Sequence, residues 1–196
     1  IICWYERASA EVTEFRVMQV QQHLPKMTVY LNIRDKNGET IRNLEHIRID
    51  AYVGTEKVSV GDLKPFDPAV EGVSYIFLVD ISKSLSITQF STIKKALSTW
   101  VNAMTENDFA AIMTFGSTVR LLQDFTAEKE KLKSTIDTLV LTDKETQLHL
   151  GLVRAMELGR RRDTKLPGRR VIIILSDGQD DFAGSITQSE VLNRIK

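Results

Sequence analysis

The chain has 196 residues, and its 26 Lys and Arg balance 26 Asp and Glu, so the formal net charge is zero. Apolar side chains make up 42%, in keeping with a soluble globular protein, and the longest apolar runs, at 76–79 and 171–175, fall far short of the roughly 20 residues that span a bilayer. Balanced charge offers no global pull toward nucleic acid or anionic lipid, and a single cysteine, Cys3, excludes an internal disulfide and a thiolate-built zinc site.

This length suggests one domain of roughly 130–150 residues plus a smaller unit. The chain opens on Ile1, and Ala8-Ser9-Ala10 has the small-x-small pattern of a signal-peptidase site. Glu6 and Arg7 interrupt that pattern, so residues 1–10 read either as a leader remnant or as a disordered terminus. From 11 to about 70 the pattern is that of a small β-rich unit, Ig-like or half-sandwich. Phe15–Val20, Thr28–Ile33 and Ile47–Val53 alternate apolar and polar residues at period two. Between them Asn37-Gly38 is a hairpin signal, with positive φ tolerated at both turn positions. Asp35, Asn37 and Glu39 imitate the start of a calcium loop, but Glu45 falls one residue short of the position where the bidentate glutamate belongs. A plain hairpin is the expected structure. Pro65-Phe66-Asp67-Pro68 reads as a stiff connector.

From 72 to 196 strands alternate with helices. Ser74-Tyr75-Ile76-Phe77-Leu78-Val79 has the continuous apolar character of a strand buried on both faces, and it ends at Asp80. Ser86-Ile87-Thr88-Gln89 is a capping box opening a helix with Phe90, Ile93, Leu97, Trp100 and Met104 on one stripe. Two strands, 109–115 and 119–125, are joined by a link short enough to require an antiparallel pair. Helices are expected around Leu132–Val140 and Leu148–Gly159, then a second apolar strand at 170–175. A last helix is capped by Thr187 and Glu190, with Val191, Leu192 and Ile195 facing inward. This is an α/β pattern, a mostly parallel sheet with helices on both faces. The apolar strand 170–175 calls for a neighbour on each side, so the sequence is expected to belong to a longer polypeptide or a multi-chain assembly.

Asp80-Ile81-Ser82-Lys83-Ser84 stands where the first buried strand meets its helix, and ligands in such sheets bind at the carboxyl ends of the strands. Asp177 ends the other central apolar strand, and Thr146 precedes the third helix from a neighbouring loop. Two carboxylates facing one crevice repel unless a cation lies between them. Few charges and several hydroxyls suit a small hard ion, Mg2+ above all, which retains waters and leaves room for an outside oxygen. Mn2+ and Ca2+ are the other candidates. Singly, each of these residues also reads as an ordinary helix cap; their joint placement at three strand-to-helix junctions favours the metal site.

The elements Asp80-x-Ser82-x-Ser84, Thr146 and Ser176-Asp177-Gly178 resemble the metal-ion-dependent adhesion site of the von Willebrand factor type A family, from about Gly72 to Lys196. The resemblance implies a Rossmann-like domain whose Ser82 and Ser84 coordinate the metal directly. It implies that Asp80 and Asp177 act largely through bound water, that Thr146 joins or leaves with conformation, and that a partner's Asp or Glu completes the shell. It also implies a non-enzymatic adhesion module, here lacking the family's last strands and helices. The β-rich segment is similar to those preceding such domains in secreted prokaryotic proteins, which favours an extracytoplasmic location.

Two other functions compete. An envelope or intracellular assembly module would use the same metal chemistry on a different partner. A phosphatase of the haloacid dehalogenase type would use Asp80 as nucleophile, but Ser82 stands where its general-acid aspartate is required. Nucleotide-binding glycine loops and the H-E-x-x-H motif are absent from the sequence. The basic cluster Arg160-Arg161-Arg162, Lys165, Arg169-Arg170 reads either as complement to a helix C-terminus or as a patch for an anionic partner. Asp180 and Asp181 read as exposed loop acids or as a source of negative field at the cation, and His149 as a packed or solvated residue near the rim.

Overall fold

A computed structural model describes residues 2–5, 12–23, 25–45, 47–161, 163, 165–178 and 186–195. The chain divides into two compact units, Ile1–Asp67 and Pro68–Lys196.

Among the described residues, the first unit contains five strands: β1 (Ile2–Tyr5), β2 (Val12–His23), β3 (Lys26–Asp35), β4 (Ile49–Val53) and β5 (Glu56–Val58). Antiparallel β2 and β3 pair from Val12↔Asp35 to His23↔Lys26, and a separate sheet has the order β1-β4-β5. Ile2–Tyr5 therefore form a strand on β4 rather than a frayed end; the small-residue motif at 8–10 lies outside the described residues. The turn after β3 also differs from expectation. Only Gly38 has positive φ (81°), and past it a single bridge, Arg34↔Thr40, replaces a second strand. The cause is the Asp35 side chain, whose Oδ1 accepts from the backbone N–H groups of Asn37 (2.8 Å) and Glu39 (2.9 Å). This local bonding competes with the ladder, and it commits that oxygen to the turn instead of to a calcium ion.

The second unit runs α1 (Pro68–Glu71), β6 (Ser74–Asp80), α2 (Ile87–Ala103), β7 (Phe109–Phe115), β8 (Val119–Thr126), α3 (Lys129–Thr138), α4 (Leu148–Gly159), β9 (Arg170–Leu175) and α5 (Gln188–Ile195). The sheet order is β8-β7-β6-β9. Central β6 is parallel to both β7 and β9, while β8 returns antiparallel to β7. Because side chains alternate across a strand, β6 feeds two cores. Phe77 and Val79 pack with Phe90, Leu97 and Val101 of α2 and with Leu132 and Ile136 of α3. Ile76 and Leu78 pack on the other face with Ala155 and Leu158 of α4. Gly151 permits that second contact, since a Cβ there would lie 3.2 Å from the Cβ of Phe115. The sheet therefore carries helices on both faces, as the alternation predicted.

Three expectations need adjustment. Trp100, placed on the inward stripe of α2, is 43% exposed and lays its ring edge-on against Tyr75. Leu192 is exposed while Val191 is buried, because α5 is amphipathic and turns one face to α4; the Ile195 side chain lies outside the described residues. Three arginines of the basic cluster are engaged within the protein. Arg161 grips both carboxylate oxygens of Asp124 at 2.7 Å, Arg160 donates to the Arg194 carbonyl, and Arg170 donates to Ser74 Oγ while lying over the Phe125 ring. Arg162, Asp180 and Asp181 lie outside the described residues. No described helix is long and apolar enough to cross a membrane.

Candidate metal centre

The last residue of β6, Asp80, is fully buried. Removing a carboxylate from water is costly unless its oxygens are bonded, and this one is bonded on both sides. Oδ1 accepts from the Ser82 backbone N–H (2.8 Å) and from Ser82 Oγ (2.6 Å). Oδ2 accepts from Ser176 Oγ (2.7 Å), which arrives from the end of β9. Ser82 Oγ also lies 2.9 Å from Ser84 Oγ. A hydroxyl that donates to a carboxylate keeps its lone pairs for another partner and gains electron density. Ser82 Oγ therefore keeps an oxygen lone pair that could serve a cation, and the capping box of Ser86 and Gln89 starts α2 directly behind it.

The opposing wall is the loop between α3 and α4. Asp143 pairs with Ser82 in a parallel bridge, with Lys83 N–H donating to the Asp143 carbonyl and Asp143 N–H to the Ile81 carbonyl. Gln147 N–H bonds the Gly116 carbonyl, and Glu145 N–H bonds Ser117 Oγ. These bonds hold the loop against the ends of β6 and β7. Between them sits Thr146, fully buried, whose Oγ1 has no hydrogen-bond partner. Asp143 Oδ2 is likewise buried and unpartnered. Buried polar atoms are nearly always satisfied, so two orphaned oxygens on one loop point to a bonding partner other than the protein. The donor set is all oxygen, hydroxyls with carboxylates, which fits a hard divalent ion.

The structure thus unites Asp80, Ser82 and Ser84 in one hydrogen-bonded cluster and anchors the Thr146 loop to the same strand ends. Asp177 follows Ser176, is exposed, and lines a depression of about 290 Å3 together with Leu85, Gln89 and Ser176. Two further residues lie at these strand ends without a signal in the sequence. Ser176 was noted only as a neighbour of Asp177, yet its hydroxyl holds Asp80. Asp143 carried no local signal, since it stands in a polar stretch that reads as ordinary loop.

Comparison with known proteins agrees with this geometry. The profile of the von Willebrand factor type A domain matches residues 75–179, more than half of the chain. Over 130 residues the chain is 26% identical to inter-alpha-trypsin inhibitor heavy chain H1 of Sus scrofa, a match that takes in 62% of this chain and 14% of that protein's length. The vWF domain of the type V pili tip protein Mfa5 from Porphyromonas gingivalis is similar in structure, with a TM-score of 0.50 and 23% identity over 55% of this chain and 38% of that one. Proximal thread matrix protein 1 from the mussel byssus, in a structure with a zinc-occupied MIDAS motif, is similar with a TM-score of 0.53 and 19% identity, over 63% and 32% of the two chains. With a profile that runs from the first central strand to just past the second and covers more than half of the residues, the chain belongs to the von Willebrand factor type A domain family.

Proposed function

We propose that the second unit is a divalent-cation-dependent protein-binding module, with Ser82 and Ser84 as direct ligands, Asp80 and Asp177 acting largely through water, and Thr146 supplying a further oxygen. Mg2+ is the favoured ion, because hydroxyl-rich, water-retaining coordination suits it. When bound, it would supply a positive centre open to an acidic oxygen, so the partner presents Asp or Glu. The observation that supports this reading most is the pairing of a saturated, fully buried Asp80 with a buried, unpartnered Thr146 hydroxyl at the same strand ends.

The module is non-enzymatic in this reading. Asp80 is shut off from solvent with both oxygens engaged, which is unsuited to attack on a phosphate ester. Relatives that include a pili tip protein favour an extracytoplasmic setting, where an acidic partner on another surface protein is the expected ligand. The same chemistry would serve an assembly module, and only the partner would differ.

The test is binding to a surface-immobilised partner recovered with the intact chain and Mg2+. Chelator and Asp80→Ala should each reduce binding to the same residual level. Binding indifferent to both treatments contradicts the bridging mechanism.

A further inference from the structure

We propose that Asp143, outside the five-residue motif, is an additional cation-binding residue of this centre; the proposal rests on the metal-dependent reading above. Three observations on different atoms converge on it. The bridge to Ser82 places the two residues side by side, and paired residues in a bridge project to the same face, so the Asp143 carboxylate shares the face of the Ser82 hydroxyl. At the end of β7, Gly116 leaves room for it: a Cβ there would lie 2.5 Å from Asp143 Oδ2. Finally, Thr142 Oγ1 donates to Oδ1 at 2.7 Å, fixing the carboxylate, while Oδ2 is buried with no partner in the protein.

A carboxylate oxygen held out of water without a donor is unfavourable, and among the described residues no salt bridge to Lys or Arg reaches it. A cation bound at Ser82 and Thr146 supplies the missing partner. Among the described residues no three carboxylate, histidine or cysteine side chains group closely enough to hold an ion by themselves, so Asp143 would add one carboxylate oxygen to a shell built mainly from the hydroxyls of Ser82 and Thr146. Ligand charge count raises affinity for such ions, so Asp143 makes the centre retain its ion more tightly than the motif alone would.

The experiment is calorimetric titration of the chelator-stripped full chain with Mg2+, then Mn2+, alongside Asp143→Asn. The amide keeps the size of the side chain and its acceptor for Thr142. Asp137→Asn, on exposed α3 surface, controls for loss of one negative charge at a distance. Asp143→Asn should weaken Mg2+ about tenfold or more, Asp137→Asn should leave it near wild type, and metal-free Asp143→Asn should melt at a higher temperature than metal-free wild type. Gly116→Ala, whose Cβ would meet Asp143 Cβ and Oδ2 alike at 2.5 Å and so displaces the whole side chain without changing charge, should also weaken the ion, with urea unfolding in chelator showing whether each variant is folded. Wild-type binding that Asp143→Asn leaves unchanged, or that Asp137→Asn lowers equally, overturns the proposal while sparing the metal site. A wild-type chain that takes up neither ion overturns both.

Discussion

The two walls of the candidate site are built on opposite principles. On the strand side, Asp80 is saturated: Ser82 and Ser176 satisfy both carboxylate oxygens, and Ser84 continues the chain of hydroxyls. On the loop side, the backbone of 143–147 is firmly bonded to Ile81, Lys83, Gly116 and Ser117, yet Asp143 Oδ2 and Thr146 Oγ1 are left without donors. A carboxylate embedded in a sheet needs its own hydrogen bonds to be tolerated in the metal-free protein. A loop anchored through its backbone can keep side-chain oxygens in reserve. The strand wall is therefore satisfied within the protein, and in the proposed function the loop wall is where a bound ion would add stability.

Substitutions on the two walls should consequently move metal-free stability in opposite directions. The largest expected effect is Ser176→Ala, which strands Asp80 Oδ2 in the interior and should cost about 1–3 kcal/mol by urea unfolding in chelator. An unchanged midpoint would show that Asp80 does not need that hydroxyl. On the loop wall, Thr146→Val removes an oxygen that bonds nothing. It should raise metal-free stability by about 1 kcal/mol while weakening Mg2+ about tenfold. Loss of stability in chelator, measured the same way, would mean that the Thr146 hydroxyl already has a partner.

Most of the second unit could be read from the sequence because burial dictated it. The run from Ile76 to Val79 is apolar because both its faces are covered by helices, and the alternation of such runs with capped helices leaves few arrangements. Ser86-Ile87-Thr88-Gln89 announced the start of α2, and both bonds of the capping box form. The first unit was less legible for the complementary reason. Val17, Met18 and Val20 remain exposed to between 36% and 52%, so little burial enforces register, and side-chain bonding by Asp35 decided the turn instead. At the site, the strand-end motif was visible because its spacing is local. Ser176 and Asp143 were not, since each matters through a residue about a hundred or sixty positions away that only the folded sheet brings near. Gly116 offered a faint signal, as a glycine at a strand end often marks a close approach by another segment.

The central claim is that Asp80, Ser82, Ser84, Thr146 and Asp177 hold a divalent ion, and calorimetric titration of Mg2+ into the chelator-treated chain addresses it most directly. The account predicts saturable uptake of one ion per chain in wild type and none with Asp80→Ala under conditions where both proteins are folded. Undiminished uptake by folded Asp80→Ala, or no uptake by either protein, would contradict it.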